Sequence, residues 1–264
     1  MFPRAHVCLL ALLLGPLAAA NALAEKFTEE FHQAYPVSAE SRISLANVNG
    51  NISIKSTDAS EVRVDAIKRS SSQEHLQAVK IEVEARSDRV TIQTKYPDHR
   101  SGWFKKKPED TTSVEYTLTV PRTARLDGIS SVNGSINVDG LVDSVTASTV
   151  NGAVNANSLS GSTHVSTVNG SLALTFISLD KVKSVSASTV NGKVQINLPH
   201  EADANLSAST VNGSIGGDVK VEKHWPGGQS LNTKLGKGGP KISLSTVNGS
   251  VGIHLLVQAE QPAR

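Results

Sequence analysis

Two carboxylates follow successive copies of a five-residue phrase, STVNG, at almost the same distance. Asp180 comes eleven residues after Asn169, and Glu201 comes ten residues after Asn191. If the copies stack as coils, the two carboxyl groups lie near one corner, about 5–6 Å apart, which is close to the separation in a retaining glycosidase. The favoured interpretation is two loop carboxylates in water, and a carbohydrate-active enzyme using this pair is the alternative.

Two segments combine the protein's only tryptophans with clustered lysines. They read HRSGWFKKK at 99–107 and KVEKHWPGGQSLNTKLGKGGPK at 220–241. Aromatic and basic side chains together suit an anionic glycan or lipid headgroups. The alternative is that the tryptophans cover the core while the lysines keep strand edges from pairing with other chains. The candidate binding residues are Trp103, Phe104, Lys105, Lys106, Lys107, Trp225, Lys234 and Lys237.

Other patterns that carry chemistry are missing from the sequence. The histidines show no HxH, HExxH or HxxxH spacing, and the only cysteine is Cys8. No G-x-S-x-G nucleophile elbow occurs. Serines that recur in every repeat are typical of a structural wall, whereas a nucleophile is unique. The sequence therefore predicts no metal site, no cofactor and no enzymatic activity.

The repeated phrase must be positioned by a repeat architecture. STVNG is complete at 148–152, 166–170, 188–192, 209–213 and 245–249, while SSVNG stands at 130–134 and ANVNG at 46–50. Recurrence about every twenty residues is typical of solenoids and related arrays. The predicted structural corners are Asn49, Gly50, Asn133, Gly134, Asn151, Gly152, Asn169, Gly170, Asn191, Gly192, Asn212, Gly213, Asn248 and Gly249.

Apolar residues alternate with Ser, Thr and Asn on both sides of each corner. The pattern predicts two short strands per repeat, with the apolar side inward. The corner glycine is expected to take a positive φ. In a β-solenoid, identical asparagines would stack about 4.8 Å apart, whereas in an antiparallel β-meander each Asn-Gly would be a hairpin tip. The near-identity of the copies favours the solenoid, because side-chain amides then bond along the stack.

The two halves of the chain differ in composition. Residues 25–128 are predicted to form an antiparallel β-rich region, with strands at 51–55, 61–68, 79–85, 89–95 and 112–120 and a short helix at 71–78. Residues 129–264 are the VNG-repeat solenoid, continuous with the first region, in which 198–205 and 216–240 are interpreted as loops. The formal net charge is only +2, so the sequence predicts no nucleic-acid partner.

The N-terminus has the pattern of a secretory signal peptide. Arg4 precedes a short apolar run, and Ala22 and Ala24 form a small-x-small cleavage site. We expect residues 1–24 to be removed, so that the exported chain starts at Glu25 and contains no thiol. The predicted location is the periplasm or the cell surface.

Several segments together resemble the bacterial putative-adhesin domain family. They are ANVNGNISI at 46–54, EVRVDAIKRS at 61–70 and VEYTLTVPRTARLD at 114–127, followed by the serial SxVNGxI coils. The resemblance implies a right-handed β-helix and a non-enzymatic envelope protein that presents a binding surface. The partner is expected to be an anionic glycan, lipid headgroups or another envelope protein. A purely structural role, with edge-strand pairing to another envelope protein, is a further alternative.

Overall fold

The protein is almost entirely β-structure. The computed structural model describes residues 27–97, 112–141, 143–219 and 228–256. The predicted signal peptide and the aromatic-basic segment around Trp103 lie outside these residues. Within the described part of the chain, no helix has the length and apolarity needed to cross a membrane.

The described elements are twenty strands and one short helix. The first half contains β1 (Phe27–Pro36), β2 (Arg42–Ala46), β3 (Ile52–Thr57), β4 (Glu61–Ser70), α1 (Gln73–Ala78), β5 (Lys80–Arg86), β6 (Arg89–Lys95), β7 (Ser113–Pro121) and β8 (Arg125–Asn133). There follow β9 (Ile136–Asp139), β10 (Ser144–Asn151), β11 (Val154–Leu159), β12 (Ser162–Asn169), β13 (Leu172–Phe176) and β14 (Ser184–Asn191). The last are β15 (Val194–Pro199), β16 (Ala204–Asn212), β17 (Ile215–Gly217), β18 (Gln229–Leu235), β19 (Lys241–Asn248) and β20 (Val251–Leu256).

The strands form two ten-stranded sheets, and each repeat coil contributes one strand to each. Sheet 1 has the order β1-β4-β7-β3-β9-β11-β13-β15-β20-β17, and sheet 2 has the order β18-β16-β19-β14-β12-β10-β8-β2-β6-β5. The VNG corner carries the chain from sheet 2 to sheet 1. Within the stack the strands are parallel and in register, so that Asn151 lies between Asn133 and Asn169. The solenoid prediction is confirmed, and the antiparallel meander is wrong for the repeats.

The core lies between the two sheets. It consists mainly of Val, Ile, Leu and Ala from the inward positions of every coil, with Phe176 and Tyr116 as the buried rings. Branched side chains stack on their equivalents in the neighbouring coil, which is how a chain with few aromatic residues fills its interior. The alternation of buried and exposed positions in β10 and β12 follows the predicted pattern.

Antiparallel pairing is confined to the two ends of the stack. At one end β4 pairs with β1 and β7, and β5 pairs with β6 through the predicted Ser87-Asp88 hairpin. At the other end β18 pairs with β16. The interpretation of 216–240 as a loop is therefore wrong for β18, which closes one edge of sheet 2. The predicted boundary near residue 128 is crossed by both sheets, since β2 pairs with β8 and β3 pairs with β9.

The coils do not stack in chain order. The last coil in the sequence contains Asn248, and its strand β19 lies between β14 and β16. Its second strand, β20, likewise lies between β15 and β17. The coil of Asn212 is therefore the end of the stack, and the coil of Asn248 lies one position further in.

Candidate functional site

The threonine of the STVNG motif fixes the spacing between coils. Thr149, Thr167, Thr189, Thr210 and Thr246 are all buried. Each hydroxyl donates a hydrogen bond of 2.9–3.1 Å to the carbonyl oxygen of the motif glycine in an adjacent coil. Such a bond stabilises the fold by about 0.5–1.5 kcal/mol, and leaving its buried partner unpaired costs more.

The asparagines form one continuous ladder of side-chain amides. In each step, Nδ2 of one asparagine donates to Oδ1 of the asparagine in the adjacent coil, over 2.8–2.9 Å. The ladder runs through Asn49, Asn133, Asn151, Asn169, Asn191, Asn248 and Asn212. Because each of the five asparagines between Asn49 and Asn212 both donates and accepts inside the ladder, the corners are held in a regular row.

The motif glycines are required for close approach between coils. A Cβ added to Gly170 would lie deep inside contact distance of the carbonyl oxygen of Gly152, and each of the other corners shows the same crowding. The predicted positive φ holds for Gly50, at 121°, while Gly192 and Gly249, at 159° and 156°, lie at the border of extended backbone. The prediction is wrong for the remaining corners, which have no left-handed φ: Gly134, Gly152, Gly170 and Gly213.

The valine of the motif points outward, where the apolar-inward pattern did not place it. In six of the seven copies the valine is 38–53% exposed, whereas Val48 is half-buried. The six exposed valines are Val132, Val150, Val168, Val190, Val211 and Val247. They are six of the eight large apolar side chains exposed among the described residues, so the exposed apolar surface is concentrated in one column. At about 4.8 Å per strand, the column is about 24 Å long. The sequence contained this signal. The valine stands one residue before the asparagine and the buried residue stands four before it, so the two side chains point to opposite faces of the strand.

A column of serines runs beside the valine column on the outer face of sheet 2. Its members are Ser130, Ser148, Ser166, Ser188, Ser209 and Ser245, all exposed or half-buried. Neither column contains a charged side chain. We call these two columns together the valine-serine face. Its side chains recur in register from coil to coil, because the threonines, asparagines and glycines of the motif fix the coil spacing.

Two of the predicted binding residues lie at the edge of sheet 2, opposite the start of β16 and away from the two columns. Lys234 of β18 pairs with the exposed Asn205 of β16, and so it extends the outer surface of sheet 2. Lys237 is exposed, and its backbone N–H donates to the Asp203 carboxylate over 2.6 Å. The remaining predicted binding residues lie outside the described part of the chain: Trp103, Phe104, Lys105, Lys106, Lys107 and Trp225.

The carboxylates of the alternative enzyme hypothesis both lie in exposed turns. Asp180 follows β13 and Glu201 follows β15, on neighbouring coils. The Asp180 carboxylate accepts a hydrogen bond from the Ser178 hydroxyl in its own turn, over 2.8 Å. Nothing in the structure tests the pair further, and it stays a hypothesis. In the described ranges, His, Asp and Glu side chains form no group of three that would hold a metal ion.

The opposite end of the stack contains a cleft of about 400 Å³ between β1 and β5. Its floor includes Lys68, which points inward from β4 and is only 5% exposed. The Lys68 ammonium donates to the carbonyl oxygens of Leu76 and Val79 at the C-terminal end of α1, and it pairs with Glu29 at 2.7 Å. The three ammonium protons thus have three acceptors, and Lys68 links α1 and β1 to β4 at the end of the core.

Comparisons with known proteins give one family match and several similar solved structures. A family model described as Toastrack DUF4097 matches residues 36–254. A solved putative cell adhesion protein from Clostridium sporogenes is 13% identical, with a TM-score of 0.51 over 87% of this chain and 100% of that chain. A putative adhesin from Bacteroides fragilis is 18% identical, with a TM-score of 0.40 over 86% and 97%. The search of curated proteins returned no match. The likeness to the Clostridium sporogenes protein shows a shared fold.

Proposed function

The chain belongs to the Toastrack DUF4097 family, and on that premise we propose that it is a non-enzymatic, adhesin-like scaffold of the bacterial cell envelope. In this proposal the signal peptide exports it to the periplasm or cell surface, where the valine-serine face holds a partner. The Clostridium sporogenes protein with the same fold is described as a putative cell adhesion protein, which is in line with this role.

The exposed valine column is the observation that supports binding. Contiguous exposed apolar surface on a soluble protein commonly marks an interaction site. Stacking alone does not require valine at an exposed corner position, because Thr, Asn and Gly already supply the hydrogen bonds and the close approach. The partner proposed for this face is an envelope component with a neutral, apolar strip.

In this proposal two exposed lysines at the edge of sheet 2, outside the valine-serine face, add a second, electrostatic contribution. Lys234 is exposed on β18 and Lys237 in the turn after it, and each would add about 1 kcal/mol near an anionic surface. An anionic glycan or a lipid headgroup contacted there would bind less tightly as salt rises. The aromatic-basic segment 99–107 is part of the proposal on sequence grounds alone.

Sedimentation of the exported protein with cell-wall glycan and with anionic vesicles tests the proposal. Val150→Thr, Val168→Thr and Val190→Thr combined should weaken binding about tenfold or more, since each buried methyl contributes about 0.8 kcal/mol. The matched control changes outward positions of β10 and β14 that lie outside both columns, with Thr146→Ser and Ser186→Thr, and should bind normally. Binding by the valine variant that equals wild type would overturn the role of this face.

Two further variants separate the basic contributions. Lys234→Ser with Lys237→Ser should reduce binding at low salt and have little effect at high salt. Trp103→Ala should reduce binding only if the segment 99–107 contacts the partner. A valine variant that binds normally, together with a Trp103 variant that does not, would move the site from the valine-serine face to that segment. Absence of binding by wild type to both materials would refute the glycan and lipid partners proposed.

A further inference from the structure

Every corner asparagine is followed by glycine, and an Asn-Gly dipeptide can cyclise without an enzyme. The backbone nitrogen of the glycine attacks the side-chain amide carbon of the asparagine, and the missing Cβ leaves that attack unhindered. The nitrogen must first be released from any acceptor that holds its proton. The seven corners therefore differ in reactivity only as far as their surroundings differ.

In six of the seven corners the structure holds this nitrogen. The glycine N–H donates to the backbone carbonyl oxygen of an asparagine in the adjacent coil, over 2.8–3.1 Å. These six glycines are half-buried. The donors are Gly50, Gly134, Gly152, Gly170, Gly192 and Gly249.

The seventh corner, Asn212-Gly213, is different because its coil ends the stack. Among the described residues, the Gly213 N–H has no acceptor, since no coil lies beyond it. Gly213 is also the one motif glycine that is exposed. The Asn212 side chain makes a single ladder bond, donating from Nδ2 to Asn248 Oδ1 over 2.8 Å. Loss of the backbone bond and greater water access thus coincide at one corner.

We propose that Asn212-Gly213 is a site of spontaneous deamidation, and that the other six corners are protected by the stack. The Gly213 nitrogen loses its proton to water and forms a bond to Cγ of Asn212, while the Cγ–Nδ2 bond breaks and ammonia leaves. Water then opens the cyclic imide at either carbonyl, which gives aspartate or isoaspartate. No oxidant or reductant takes part.

The product changes the end of the asparagine ladder. A carboxylate at position 212 has no N–H to donate, so the last ladder bond to Asn248 is lost. The isoaspartate form also lengthens the backbone by one carbon at the corner. Because Gly249 N–H is held by the backbone carbonyl of Asn212, Asn248 becomes the next corner to lose its protection.

The sequence supplies matched internal controls. The hexapeptide STVNGS occurs three times, at 166–171, 209–214 and 245–250, so the intrinsic reactivity of Asn169, Asn212 and Asn248 is the same. The exported protein is incubated at mildly alkaline pH, and peptide mapping by mass spectrometry measures the conversion at each site over time. Labelling by isoaspartyl methyltransferase identifies the isoaspartate product.

We expect Asn212 to be modified first, about two- to tenfold faster than Asn169, which is the range that one net hydrogen bond gives. In concentrated urea the three rates should become equal. Gly213→Ala should slow the reaction at Asn212 and leave the rate at Asn169 unchanged. Equal rates at the three sites in the folded protein, or a slower rate at Asn212 than at Asn169, would overturn the proposal.

Discussion

Replacement of one motif glycine by alanine tests both the close approach of the coils and their unexpected order. In Gly170→Ala the new Cβ meets the carbonyl oxygen of Gly152, and the coil cannot move away because the coil of Gly192 lies on its other side. The displacement also strains the 3.0 Å hydrogen bond from Gly170 N–H to the Asn191 carbonyl oxygen. Overpacking of this kind costs about 1–3 kcal/mol.

The position of each coil in the stack decides how much of this cost is relieved. Gly249 is near the C-terminus of the chain, yet its coil lies between those of Gly192 and Gly213. Gly249→Ala should therefore destabilise the protein at least as much as Gly170→Ala. Gly213→Ala should cost less, about 1 kcal/mol or below, because the end coil shifts outward with little resistance.

Thermal and urea unfolding of the three variants provide the measurement. For a chain of this size each kcal/mol lowers Tm by about 2–4 °C, so the interior variants should melt about 2–12 °C below wild type. Gly216→Ala is the matched control, because nothing lies within 4 Å of an added Cβ there, and it should stay within about 0.5 kcal/mol of wild type. The smallest loss at Gly249, or equal losses at all three corners, would refute the reasoning.

Three other predictions concern the N-terminal part of the chain. Lys68→Met should cost about 1–3 kcal/mol in urea unfolding, because it leaves buried carbonyls at the end of α1 without a donor, whereas Glu29→Gln should cost less than about 1 kcal/mol because Glu29 is half exposed. The hydrogen bond to Asp65 raises the pKa of His32 above 6.5; the stabilising contribution of this pair is therefore present below pH 6.5 and lost as pH rises through the raised pKa, and Asp65→Asn should lower that pKa in an NMR titration. The exported protein should begin at Glu25 by intact mass, and a full-length or lipid-modified N-terminus would contradict the signal peptide.

The sequence predicted the repeat geometry because each residue of the motif has the same structural role in every coil. Asn at identical positions implied a ladder, and the ladder exists from Asn49 to Asn212. Alternation on either side of the corner identified the strands and the buried positions. The requirement for glycine at the corner was predicted. For Gly170, however, the reason is the close carbonyl group of the adjacent coil and not a positive φ.

The order of the coils was beyond sequence reasoning for a physical reason. The phrases at 209–214 and 245–250 are identical, so either coil stacks equally well on the coil of Asn191. The choice is made by the chain between them, where β18 pairs with β16 and covers its free edge. The exposure of Val168 and its equivalents was open to prediction, since their offset from the buried positions is odd.

The interior position of the last coil affects where such a protein can gain repeats and whether it tolerates truncation. A solenoid that stacks in chain order grows by adding a repeat at its C-terminus, and it tolerates trimming from the same end. Here the C-terminal strands β19 and β20 occupy the slot between the coils of Asn191 and Asn212. A chain without β19 and β20 would lose the parallel support on which its outermost coil rests, and during synthesis that coil has no parallel partner in the stack until β19 and β20 are made. New repeats are better accommodated in the middle of the gene, among the coils of Asn133 to Asn191, where consecutive repeats are also neighbours in space.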